Sequence, residues 1–208
     1  MSAIDDPIEP TSPEGRTAWK KSAVVAVPAV LAVGVLATLM SQGALAASFA
    51  VSGTNFKMSS GHLVSAGLSS YVQVDRSGDG AKHAVSLLAL KDVRLSDICQ
   101  STRIDTPIGT VVFRLTAGGD AGTVTAGSLT IDGDSLSGDS NFGAAQIGRD
   151  AGTLDAVPGV KGPAGTFGMQ VKDVDVTKVH SSAWSAMGGD FRLKGMSISL
   201  RKDGKECY

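Results

Sequence analysis

Leu88 to Ser96 reads LALKDVRLS. Leu88 and Leu90 alternate with a small residue, Lys91 and Asp92 come next as a polar pair, and Val93 and Leu95 resume the alternation. The same scheme returns in Met169 to Thr177 (MQVKDVDVT) and in Phe191 to Ser199 (FRLKGMSIS). Period-two alternation is the mark of a half-buried strand. The inner apolar residues of each copy stand three apart, so strict alternation sends the two halves to opposite faces. A β-bulge at the polar pair restores a single face, and Gly195 suits the φ > 0 position of one bulge class. The copies are unevenly spaced, which excludes a solenoid of fixed period. Sheets of any function produce such echoes, so the scheme speaks for strands and not for a particular activity.

Working outward, period two also governs Phe49-Val51, Phe56-Met58, Val72-Val74, Val111-Phe113-Leu115 and Leu129-Ile131. Turn-forming residues punctuate these runs at Ser52-Gly53, Ser60-Gly61, Asp75 to Gly80, Gly118 to Asp120, Asp132-Gly133 and Gly188 to Asp190. Thr177 to Met187 is the one stretch in this part of the chain where a short helix is expected. The pattern predicts an all-β domain, a sandwich or an elongated layered antiparallel sheet, preceded by one N-terminal helix.

That helix is Ser22 to Ala47, uncharged from Ala23 to Met40. Eighteen apolar residues are near the lower limit for crossing a bilayer. Arg16, Lys20 and Lys21 precede it, which by the positive-inside rule keeps the N-terminus in the cytoplasm and exports the chain beyond Ala47. Residues 1–21 read as a disordered cytoplasmic tail, 22–47 as a transmembrane signal-anchor or signal peptide, and 48–208 as an extracytoplasmic β-domain. Ala44-Leu45-Ala46 fits a cleavage site, so cleavage after Ala46 gives a secreted product; the long tail and apolar run favour a retained span and a single-pass cell-membrane protein.

Lys plus Arg number 19 and Asp plus Glu 20, for a net charge of −1. Such a chain has no basic field for nucleic acid, and two Trp and two Tyr offer little for base stacking. Cys99 and Cys207 both fall in the exported part, where a disulfide is the expected state and two buried thiols the alternative.

From Trp19 to Tyr208 the chain resembles a family of exported actinobacterial, chiefly streptomycete, proteins of unknown function, often labelled "cholesterol esterase". The resemblance rests on Gln42 to Phe49, Val51-Ser52-Gly53, Phe56-Lys57, Cys99-Gln100-Ser101, Ala183-Trp184, Phe191 to Gly195 and the ending Lys205-Glu206-Cys207-Tyr208. It implies export and membrane association, and no established activity.

An esterase has one foothold, Gly133-Asp134-Ser135-Leu136, the signature of a class of serine lipases. That class activates its serine with a histidine that has an aspartate three positions before it. His62, His83 and His180 all lack one, and the nearest is Asp175, five before His180. Ser135 and His180 are therefore weak catalytic candidates, and Gly-Asp-Ser is good turn sequence. Asp132, Asp134 and Asp139 fail calcium-loop spacing, and the histidines show no zinc spacing, so no metal site and no cofactor are expected. Trp184 and Phe191 are expected in the core. The reading is a non-catalytic binding or assembly module of the cell envelope, with a lipid, an envelope protein or a second copy as partner; a serine esterase and a self-associating surface-coat subunit are the alternatives.

Overall fold

The computed structural model describes residues 52–208; the tail, the apolar segment, the topology-setting cations Arg16, Lys20 and Lys21, and the cleavage site lie outside the described residues. Seven strands run β1 Phe56–Arg76, β2 Lys82–Ser96, β3 Ile98–Thr106, β4 Gly109–Ala117, β5 Val124–Asp150, β6 Phe167–Gly189 and β7 Ser197–Lys202. All pair antiparallel in one sheet of order β2-β5-β6-β1-β3-β4-β7, with a further β1–β2 pairing. The domain is all-β, as the alternation predicts. A sandwich of two separate sheets gives way to a single sheet that closes on itself. β1 is bonded to both β2 and β6, and β5 is likewise bonded to both, so the four longest strands form a ring.

The polar pairs explain how strands this long keep one face inward. Asp92 and Asp173 have φ of 51° and 52° within their strands. Gly195, φ 63°, stands instead in the turn between β6 and β7, so the Phe191 to Ser199 copy is strand only from Ser197. One left-handed residue reverses the alternation, so Leu88, Leu90, Val93 and Leu95 all enter the same core. Unlike a bulge, this reversal leaves the β1–β2 register unchanged, from Val64↔Arg94 to Gly67↔Lys91. The reason is that neighbouring strands reverse at the same level. Ala66 of β1 stands opposite both Asp92 and Asp173, with Gly143 of β5 beyond Asp173. At Gly143 a Cβ would come within 2.9 Å of the Asp173 Cβ, so the outer position is confined to glycine.

A second such row lies five residues along, through Asp97 (φ 48°), Gly61 and Lys178 (φ 55°). The inward positions of β2 into β3 are therefore 88, 90, 93, 95 and 98, and those of β6 are 169, 171, 174, 176 and 179. β3 continues the register of β2 against β1, from His62↔Ser96 to Ser59↔Cys99, so β2 and β3 are one strand broken at Asp97.

Several predicted turns are strand instead. Ser60-Gly61 lies within β1, and Asp132-Gly133 within β5. Thr177 to Met187, expected as a short helix, is the second half of β6: its β-branched and small residues match the ladders of β1 and β5, and long-range pairing overrides local helix preference. Ser77 to Ala81 does form the β1–β2 turn, closed by Gly80 N to Ser77 O at 2.9 Å. Gly119–Ala121 breaks β4 from β5 as expected. Cys99 and Cys207 are joined by a disulfide, their Cα atoms 5.7 Å apart. It fastens the C-terminal segment to β3, where Glu206 accepts from Arg103 at 2.9 Å and Lys57 at 3.2 Å.

Candidate functional site

The strands of the ring do not fill it. An apolar cavity of about 170 Å³ remains, lined by Leu63 and Leu68 of β1, Leu88 and Leu90 of β2, Leu129 and Ile131 of β5, and Val174 and Val176 of β6 among others. None of its lining residues is titratable; the polar ones are serines, and Ser60 Oγ already donates to backbone carbonyls. An apolar cavity of roughly 150 Å³ stays dry and accepts an apolar guest. This space is of similar size, and its walls are apolar but for the serines.

The mouth is set by β5. Its last bond to β2 is at Gly133; beyond that, Ser135 to Asp150 pair only with β6, and the register slips at Gly133, Ser135, Ser137 and Ile147. One edge of this stretch is unpaired. Leu136 and Phe142 line the cavity and are yet 46% and 40% exposed, which marks the way in.

Ser135 therefore sits on a bulged strand and not in the turn its sequence suggests, because the Gly133 and Ser135 irregularities absorb the turn-prone residues without reversing the chain. Its hydroxyl accepts the Ser182 N–H at 3.3 Å and its carbonyl accepts from Ser181 Oγ at 3.0 Å. His180 is exposed and tilted against the Tyr208 ring, centroids 4.4 Å apart. No hydrogen bond joins His180 to Ser135, so this arrangement supplies no base to the hydroxyl. Asp175 is committed to His62 at 3.0 Å on the surface. Phe191, expected in the core, is 42% exposed and lies over Gly188, while Trp184 is half-buried and stacks on His83 at 3.7 Å.

The three aspartates also part company. Asp139 pairs with Lys178 at 2.9 Å, and Asp132 is buried, accepting from Ser185 Oγ at 2.6 Å and Gln73 Nε2 at 3.0 Å. The same Gln73 amide donates to Asp75 at 2.9 Å. Burial raises the pKa of both acids; Asp75 further raises Asp132 by repulsion. No sequence signal marks this acid–amide–acid link, since Gln73 and Asp132 are far apart in the chain and only the β1–β2–β5 registers bring them together. Among the described residues no three potential ligands gather around a point that would hold a metal. None of the described helices is long and apolar enough to cross a membrane.

Residues 52–208 thus form an all-β domain built on a four-strand ring with an apolar interior cavity. Residues 52–208 match the model of DUF6230, a family of unknown function, and the chain belongs to that family. No curated protein and no solved structure matches it.

Proposed function

We propose that this protein is a non-catalytic binding module of the cell envelope, held there by the Ser22 to Ala47 segment, and that its ligand is an apolar chain such as that of a lipid. The observation that carries the reading is the cavity: apolar apart from four serines, free of titratable groups, and opened where β5 leaves β2. Small-molecule sites are concave and mostly apolar, and this one also lacks the polar groups a reaction needs. The unpaired β5 edge supports a subsidiary reading, self-association or partner binding by strand addition.

The test uses full-length protein purified in detergent. Mass spectrometry of its organic extract is expected to find a copurifying lipid, and a fluorescent fatty acid is expected to bind saturably. Val176→Phe, which fills the cavity, should weaken that binding at least tenfold at a stability cost of about 1–3 kcal/mol. No copurifying lipid together with no saturable uptake refutes the reading, as does binding indifferent to Val176→Phe.

A further inference from the structure

The far end of the sheet carries a second concavity of different chemistry. β4 and β7 pair Val112↔Arg201, Arg114↔Ser199 and Thr116↔Ser197, and residues directly opposite share a face. That face therefore holds Arg114, Arg201 and three hydroxyls. At the end of β7 the chain turns back through Asp203, Gly204 and Lys205, which with the backbone of Lys202 complete a cleft of about 580 Å³. The Lys202 side chain, opposite Val111, lies on the other face against Gly109. It shares no residue with the apolar cavity.

Three cationic side chains and one acid line this cleft in a chain whose net charge is −1. None of the three is in an ion pair: the salt bridges of the described residues belong to Lys57, His62, Arg103, Arg149 and Lys178. Among the described hydrogen bonds, Arg114 Nε donates to Cys99 Sγ at 3.2 Å, while Arg201 and the hydroxyls of Thr116, Ser197 and Ser199 make none. Arg114 and Arg201 are diagonal neighbours across the ladder, within reach of each other and of one ion. Basic residues on an edge strand also deter unwanted strand pairing. That accounts for β7, but not for Arg114, because β4 is paired on both sides, with β3 and β7.

We propose that this cleft binds a phosphate group carried by a larger molecule. Guanidinium forks match phosphate oxygens two at a time, and the flanking hydroxyls supply further donors without adding charge. A bound phosphate relieves the repulsion between the two arginines and gives Lys205 a counter-charge. Phosphate on a lipid head group and phosphate on a soluble polymer present the same chemistry here.

The experiment titrates the full-length protein in nonionic detergent with inorganic phosphate, then with glycerol phosphate and with dihexanoyl phosphatidylglycerol below its micellar concentration, by calorimetry at low salt. Saturable binding is expected for all three, weakened at least tenfold by R114Q/R201Q and by raised sodium chloride, and unchanged by R76Q, an arginine outside the cleft. Tenfold tighter binding of the phospholipid over glycerol phosphate supports the cleft with a lipid head group as source; equal binding supports it with phosphate on any carrier. No saturable binding of any probe overturns the proposal, and so does binding that survives R114Q/R201Q. Should that variant fail to fold, R201Q alone, on the exposed edge strand, carries the same expectation.

Discussion

Reducing the Cys99–Cys207 bridge is the sharpest perturbation of this fold. The bond spans a sequence separation of 108 residues. In the chain-entropy account, opening a loop of that length frees the unfolded chain by about 4.8 kcal/mol, an upper figure because residual structure in the unfolded state subtracts from it. Unfolding about 160 residues carries an entropy of roughly 0.33 kcal/mol per kelvin, so the melting temperature should fall by about 10–15 °C. The C-terminal segment keeps other holds: Cys207 N to Ser101 Oγ at 3.0 Å, Tyr208 OH to Ser181 O at 2.9 Å, and Glu206 between Arg103 and Lys57. With these contacts kept, the reduced protein is expected to stay folded at room temperature. The assay is thermal melting by circular dichroism with and without reductant, with Cys99→Ala/Cys207→Ala as an independent version. A shift below about 3 °C in both would refute the loop-entropy reasoning, and so would two titratable thiols in the non-reduced, unfolded chain.

The polar sites give two further outcomes. Ser135→Ala should leave any activity and any ligand binding unchanged and cost about 0.5–1.5 kcal/mol for the lost Ser182 N–H contact, read from a urea midpoint; fluorophosphonate labelling of Ser135 that disappears in His180→Ala would contradict this. Burial raises the folded-state pKa of Asp132 and Asp75 above the unfolded value, so their contribution to stability is present at low pH and is lost as pH rises through the raised values. Asp132→Asn should gain on the wild type in urea midpoint across that rise, whereas Asp79 and Asp155, whose pKa values are lowered by hydrogen bonds to Ser77 and Gln170, act with the opposite sign as pH falls through them. A constant difference between wild type and Asp132→Asn from pH 4 to 7 would show that the Asp132 carboxyl is not desolvated as described.

Most of the strands were legible from recurring apolar residues, and so was the need for a reversal at the polar pair, although an in-register left-handed residue takes the place of the expected bulge. The offset between Leu90 and Val93 demands a reversal at Lys91-Asp92, and the left-handed residue stands there, as it does at Asp173; in the third copy the same spacing belongs to a turn at Lys194-Gly195. The second row could have been read from the spacing 88, 90, 93, 95, 98, in which the apolar pairs repeat every five residues. Ring closure was not legible. It depends on β5 pairing with β2 up to Gly133 and with β6 from Ser128 onward, a choice of partners that no local window encodes. The same blindness explains Thr177 to Met187, whose strand state is set by β1 and β5, and Gly133 to Ser135, where turn-prone residues serve as irregularities in a ladder. The cavity was invisible for a related reason: its walls look like any other core residues until the registers show that they fail to meet.

The disulfide also sets the path of mechanical load. Ser59, close to the start of β1, pairs directly with Cys99, and Cys99 is bonded to the penultimate residue of the chain. A pull applied between residue 52 and the C-terminus therefore loads the first five residues of β1 before it reaches covalent sulfur. These pair through Lys57↔Ser101 to Ser59↔Cys99 on the β3 side and Phe56↔Ala183 to Ser60↔Val179 on the β6 side. The β1–β2 ladder and the long β5–β6 ladder lie outside that line of force. Tension on the two ends strains one corner of the sheet and leaves the rest of the domain slack.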